Sequence, residues 1–280
     1  MQQIADYEII QQLGEGSQGQ FWLARTPDRL EISAPTVALK TINHPASDED
    51  FARLTGHLRR YASISSDHLV ALYDLGQQGN LLYMAGEYLE GGSLAQPARP
   101  LSRVDVLRYI ADATNGAHQL HEVGIAHRSI RPGNVLMVGG GPTAPGRANH
   151  GAKLGDLGLS QMLSPGQTIT GAAKVSAIEY LPPELIQGQQ ASRASDIWAV
   201  GATLHKALTG QPLYPTLPTD SLVSALRHIL NERPVLGDAL RNGERRIIES
   251  TMAADPAERP ATADQVAEQI LEEADRQEKG

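Results

Sequence analysis

The first residues with chemical potential are three glycines, Gly14-Glu-Gly16-Ser-Gln-Gly19, spaced as G-x-G-x-x-G. Glycine lets backbone amides come close to phosphate oxygens, so such a turn suits a phosphorylated ligand. A dinucleotide-binding reading needs a helix directly after the third glycine. Here Gln20-Phe-Trp-Leu-Ala24 follows, which reads as a strand, so the turn joins two strands. Lys40 ends the apolar run Val37-Ala-Leu-Lys40 and supplies a cation. Taken alone, the turn also fits a hairpin with no ligand, and the lysine a solvated strand end. The absence of cysteine excludes thiol nucleophiles, disulfides, zinc–cysteine sites and iron–sulfur clusters. His44, His118, His121 and His150 have no ligand-like grouping and read as surface or core side chains.

The elements that must position these residues fall into two kinds. Residues 7–45 read as strands and turns, followed by a helix whose face is Phe51, Leu54, Leu58 and Tyr61, with Ser47 and Asp50 as a capping box. Short strands are expected at Leu69–Tyr73 and Leu81–Met84, and a linker from Glu90-Gly-Gly92 to Pro97 and Pro100. From Ser102 the pattern turns helical. Ser102 and Asp105 form a second capping box, Val106, Ile110, Ala113, Ala117 and Leu120 form an apolar stripe, and Gly124 is the stop. Residues 139–152 read as a loop by composition. Further helices are expected over Ile197–Leu208, Leu222–Leu230, Gly243–Ala253 and Thr262–Ala274. A strand-rich first part and a helical second part imply two lobes with a crevice between them.

Composition agrees with a packed, non-fibrous chain. Of 280 residues 41% are apolar and 4% aromatic, so the core must be mostly aliphatic. The net charge of −8 argues against nucleic-acid binding. No apolar run is long enough to cross a membrane, and the first residues do not read as a secretion signal, so a cytoplasmic protein is expected.

A second cluster, Ile125-Ala-His-Arg-Ser-Ile-Arg-Pro-Gly-Asn134, is followed by Leu154-Gly-Asp-Leu-Gly158. Together with the glycine turn and lysine these resemble the protein kinase family, in its bacterial Ser/Thr form. Val37-Ala-Leu-Lys40 resembles V-A-I-K, His127 to Asn134 resembles H-R-D-x-x-x-x-N, Asp156-Leu-Gly158 resembles D-F-G, and Pro182-Pro-Glu184 resembles A-P-E. Asp196-Ile-Trp-Ala-Val-Gly201 and Asp255-Pro-Ala-Glu-Arg-Pro260 look like later landmarks of that family. The resemblance implies an α+β fold. An antiparallel β lobe with one helix would span about 1–89, a helical lobe about 90–274, and a polar tail 275–280. It also implies ATP and Mg²⁺ as ligands. Gly14, Gly16, Gly19 and Lys40 then face the phosphates, Asn134 and Asp156 the metal. Glu87 and Leu89 match the adenine hinge, and Ala38 and Leu136 the faces of the ring.

Departures from the family pattern cluster on phosphoryl transfer. Ser129 stands where the catalytic Asp is usual, and Arg131 where Lys is usual. Residues 51–66 contain no Asp or Glu, so the usual helix glutamate is missing. Ser176-Ala177 replaces Gly-Thr. Phe21 replaces a valine over the adenine, where its ring would either stack on adenine or fill the space itself, and Gly86 replaces a bulky residue before the hinge, which would open volume behind the pocket. By contrast His127, Arg128, Glu184, Asp196 and Arg259 fit the pattern, with Glu184 and Arg259 expected to form a buried ion pair. Arg128 also fits the arginine that clamps a phosphorylated residue in the segment carrying Ser164, Thr168, Thr170 and Ser176. The resemblance so modified implies a pseudokinase, a regulatory or scaffolding module that docks a protein partner. The alternatives are a weakly active Ser/Thr kinase or another ATP-dependent transferase.

Overall fold

Alternation of apolar and other residues makes the first part of the chain a sheet. The computed structural model describes residues 3–16, 19–43, 48–139, 151–157 and 178–280, without the side chains at 48–50, 53 and 57. They fall into two compact units: one holds residues up to 65 and 70–88, the other 66–69 and those from 89 onward.

The first unit contains β1 (Gln3–Ile4), β2 (Tyr7–Gly16), β3 (Gly19–Arg25), β4 (Thr36–Asn43), α1 (Asp48–Ala62), β5 (Leu72–Gln78) and β6 (Leu81–Glu87). All the strands form one antiparallel sheet in the order β1-β2-β3-β4-β6-β5. One face carries an apolar core of Tyr7, Ala24, Val37, Leu39 and Ala85, with Trp22 and Tyr83 packed on it. On α1, Leu54, Leu58 and Tyr61 are buried as their spacing requires, and the Tyr61 hydroxyl donates to the Val70 carbonyl at 2.6 Å. Ser47 lies outside the described residues. The strand expected at Leu69–Tyr73 begins instead at Leu72, because Leu69 belongs to the other unit. There it forms a parallel bridge with Leu154, whose N–H donates to the His68 carbonyl at 2.8 Å.

The second unit is built on α2 (Arg103–Glu122), followed by β9 (Val135–Met137) and β10 (Ala152–Leu154). The capping box forms as its residues require: Asp105 N–H donates to Ser102 Oγ at 3.1 Å, and Ser102 N–H to Asp105 Oδ2 at 3.1 Å. All five stripe residues are buried, and Gly124 adopts φ +75° just past the end. The expected linker is paired structure: β7 (Gly92–Ser93) and β8 (Gln96–Pro97) extend the sheet in the order β10-β9-β7-β8. Ala152, read as the end of a loop, opens β10; residues 140–150 lie outside the description.

Among the described residues the remaining α-helices are α3 (Pro183–Ile186), α4 (Arg193–Thr209), α5 (Leu222–Asn231), α6 (Asn242–Thr251) and α7 (Ala263–Lys279). The polar stretch read as a tail is helical as far as Lys279. Arg108 pairs with Asp275 at 3.3 Å and Glu278 at 2.7 Å, and Gln277 donates to Glu244 at 2.9 Å. No described helix is long and apolar enough to cross a membrane.

α4 is buried on nearly all sides, from Ser195 to His205. His205 is fully buried, and its Nε2 accepts from Gly237 N–H at 3.0 Å. Protonating Nε2 would oppose two N–H groups. Burial, with repulsion from Lys206 and Arg245, pushes the imidazole down to about 4. Below its unfolded value near 6.5 the unfolded chain binds the extra proton more readily. The stabilisation is therefore complete above about pH 6.5 and is lost as pH falls toward about 4. Its full size is about 3 kcal/mol. His205→Gln keeps an acceptor for Gly237, so its urea midpoint should fall less than the wild type's between pH 7 and pH 4. Parallel pH profiles would show that His205 is not the group responsible.

Candidate functional site

Strand register places the residues of the glycine turn. Gly14 on β2 lies opposite Phe21 on β3, and Phe21 lies opposite Lys40 on β4. Ala38 lies between Leu23 and Gly86. Alternation therefore puts Phe21, Ala38, Lys40 and Gly86 on one face, opposite the face of the Val37 and Leu39 core. Lys40 is only 6% exposed, and its Nζ sits 5.4 Å from the Phe21 ring centroid. The glycines have different causes. A β-carbon at Gly19 would lie 2.1 Å from the Thr41 carbonyl oxygen, so that glycine is required by the close approach of β4. At Gly14 it would meet nothing within 4 Å among the described residues. No described residue demands glycine there.

Gly86 is not the open volume expected. A β-carbon there would lie 2.8 Å from the Ala71 carbonyl oxygen, so backbone already fills that space. The same carbonyl accepts from Glu87 N–H at 2.9 Å, and Ala71 N–H donates to Glu87 Oε2 at 3.4 Å. Leu89 is the first residue of the second unit after β6.

In the second unit a buried carboxylate holds the start of the segment His127–Asn134. Asp196, in the first turn of α4 and 2% exposed, accepts from His127 N–H at 2.7 Å and Arg128 N–H at 2.8 Å. His121 Nε2 lies 2.7 Å from its Oδ2. Arg128 takes φ +71°, a left-handed conformation costly for a residue with a β-carbon. His127 Nε2 lies 3.1 Å from the Gly155 carbonyl oxygen, while its Nδ1 accepts from Ser129 N–H at 3.3 Å. This pattern selects the neutral ring protonated on Nε2, and burial lowers its pKa in the same sense.

Ser129 is tied to Asn134. The Asn134 Nδ2 donates to the Ser129 carbonyl at 2.6 Å and to its Oγ at 2.9 Å. With its amide hydrogens turned to Ser129, the amide oxygen is the atom left to take a cation. Gly155 N–H donates to the Asn134 carbonyl at 2.9 Å, which sets Asp156 one residue further on, at φ +57°. An amide oxygen and a carboxylate are hard donors that fit Mg²⁺. Leu136 on β9 is half-buried opposite Lys153, while Val135 and Met137 are fully buried. The Nε atoms of Arg128 and Arg131 are buried with no hydrogen-bond partner among the described residues. Gly158, Ser164, Thr168, Thr170, Ser176 and Ala177 lie outside the description, as do His44, His150 and the side chain of His57.

The expected ion pair is present. Arg259 reaches both oxygens of Glu184, at 2.6 and 3.0 Å, and donates to the Ala253 and Ala194 carbonyls. Its guanidinium also lies 5.0 Å from the Trp198 ring centroid. Motif spacing flagged Asp196 but gave no sign of His121 as its partner, since His121 belongs to no motif.

The profile of the protein kinase domain matches residues 7–273. The chain belongs to the protein kinase domain family. It is 29% identical over 279 residues to the serine/threonine-protein kinase PknD of Mycobacterium tuberculosis, covering 95% of this chain and 39% of that protein. It is 32% identical over 276 residues to the serine/threonine-protein kinase PrkC of Bacillus subtilis, covering 92% of this chain and 39% of that protein. The chain thus spans about two fifths of these relatives. The solved Mycobacterium tuberculosis PknI kinase domain superposes with a TM-score of 0.69 at 19% identity, covering 98% and 97% of the two chains. The fold is therefore that of a protein kinase domain, with an antiparallel-sheet N-lobe and a helical C-lobe.

Proposed function

We propose that this protein kinase domain is a nucleotide-binding regulatory module with little or no phosphoryl transfer. The observation that carries the reading is Ser129, whose hydroxyl accepts from Asn134 where the family places a carboxylate. An alcohol does not accept the substrate hydroxyl's proton at neutral pH. Loss of a general base costs about 10²–10⁴ in rate, or about 3–5 kcal/mol of barrier. Lys40, Gly14, Gly16 and Gly19 would meet the phosphates of ATP, with Ala38, Leu136, Glu87 and Leu89 available to adenine. Asn134 and Asp156 would hold Mg²⁺, which supplies neutralisation of phosphate charge when bound. The output would be docking of a protein partner.

A second reading, a weakly active Ser/Thr kinase, is favoured by the serine/threonine kinase names of PknD and PrkC and by retention of Lys40, Asn134 and Asp156. In phosphoryl transfer most of the stabilisation comes from positioning and charge neutralisation, which Ser129 leaves in place. One paired experiment separates the readings: nucleotide titration by thermal shift with and without Mg²⁺, beside a radiolabelled phosphate-transfer assay. Nucleotide at 100 times its dissociation constant should stabilise the fold by about 2.7 kcal/mol, with negligible transfer. Transfer at ordinary kinase turnover, abolished by Asp156→Ala, would establish the second reading. No thermal shift at millimolar ATP would remove nucleotide from both.

A further inference from the structure

We infer that Phe21 sets the nucleotide affinity of this domain by holding the Lys40 ammonium against its ring, so that phosphate must compete with an internal partner. The inference rests on the nucleotide-binding reading and adds the residue that tunes it. The two side chains face one another across β3 and β4, with Nζ 5.4 Å from the ring centroid. Attraction of this kind grows as the cation loses water, and Lys40 is 6% exposed. An ammonium lying against the ring must leave that contact for a phosphate oxygen to take its place. At a desolvated site the contact is equivalent to about tenfold or more in an equilibrium constant.

The ring has no refuge at the neighbouring position on this face. Gly86 lacks a side chain, but the Ala71 carbonyl oxygen stands 2.8 Å from where its β-carbon would be. Ala38, between Phe21's strand and Gly86, offers only a methyl group. The ligand class is a nucleoside di- or triphosphate, because the competition is for the cation. Adenosine, which has no phosphate, should be indifferent to it.

The test is isothermal titration of the whole chain with Mg·ATP, Mg·ADP and adenosine. Three variants are compared: Phe21→Val, Phe21→Leu and Phe21→Tyr. Each is checked for a cooperative thermal transition, and leucine retains apolar bulk should valine fail to fold. Valine and leucine should tighten ATP and ADP by about tenfold or more, leave adenosine unchanged, and tyrosine should behave as wild type. Unchanged or weaker ATP binding in both aliphatic variants overturns the inference while leaving the nucleotide reading standing. Equal tightening of ATP and adenosine also overturns it, since the ring then acts by bulk and not through Lys40. Failure of wild type and all variants to bind any of the three ligands overturns the nucleotide reading and the inference with it.

Discussion

Arg259→Ala should destabilise the helical unit by about 3–5 kcal/mol, the cost of leaving one member of a buried ion pair uncompensated. The arginine is 5% exposed and Glu184 6%, so neither charge can turn to water. Truncation abandons more than the carboxylate. The carbonyls of Ala253 and Ala194 lose their donor, and the face of Trp198 loses the guanidinium lying over it. The pair links the start of α3 to the segment after α6, across 75 residues of chain, so its loss is not absorbed by local refolding. Urea denaturation followed by tryptophan fluorescence measures this directly, since Trp198 and Arg259 are in contact. The double variant Glu184→Leu with Arg259→Met should recover most of the loss, because an apolar pair carries no desolvation cost. A cost under about 1 kcal/mol for Arg259→Ala would mean that the pair is screened like a surface one.

What was legible in the sequence was what is decided locally. The Ser102 box, the stripe of α2 and the Gly124 stop depend on residues at most a few positions apart, and all appear where spacing put them. What was not legible depends on distant partners. The helical end of α7 reads as a polar tail because its charges look solvated. Arg108 and Glu244, which engage it, lie 167 and 33 residues away from Asp275 and Gln277 respectively. The strands β7 and β8, two residues each, are too short to show alternation, and only the pairing of β7 with β8 and with β9 defines them. Leu69 reads as the start of β5 until its bridge to Leu154 is known.

The site residues divide in the same way. Their types and order along the chain carry the resemblance to the family, and their expected roles toward phosphate and metal come from that resemblance. Their surroundings were hidden. Gly86 reads as space until the Ala71 carbonyl is seen to occupy it, and the cross-strand register that brings Phe21 against Lys40 is not visible in the spacing of the two residues. His121 reads as an ordinary helix residue until Asp196 is found beside it.

That carboxylate carries the other large effect. Asp196→Ala should cost about 3–5 kcal/mol, because the backbone N–H groups of His127 and Arg128 would be left buried without an acceptor, at about 1–3 kcal/mol each. His121 loses its partner as well. Arg128 keeps its left-handed backbone only while its surroundings over-determine it, and the Asp196 bond to its N–H is one such restraint. Once that restraint goes, the loop should relax toward an ordinary conformation. The Ser129–His127 and Asn134–Ser129 contacts would then no longer be set by the fold. Asp196→Asn separates charge from shape: its single amide oxygen can serve one of the two N–H groups while its NH₂ opposes the other, so its cost should fall between wild type and alanine. Hydrogen exchange gives the local readout. The amides of His127 and Arg128 should be among the slowest in the wild type and should exchange much faster in Asp196→Ala, while those in the middle of α2 should speed up only in proportion to the loss of global stability. On the nucleotide-binding reading proposed above, the functional counterpart would be a loss of the Mg²⁺ dependence of nucleotide binding, because Asn134 would no longer be oriented with its oxygen free of Ser129. If both amides stay protected and the stability change is below about 1 kcal/mol, the loop is held by the ring of His127 against Gly155, and Asp196 is only one contact among several.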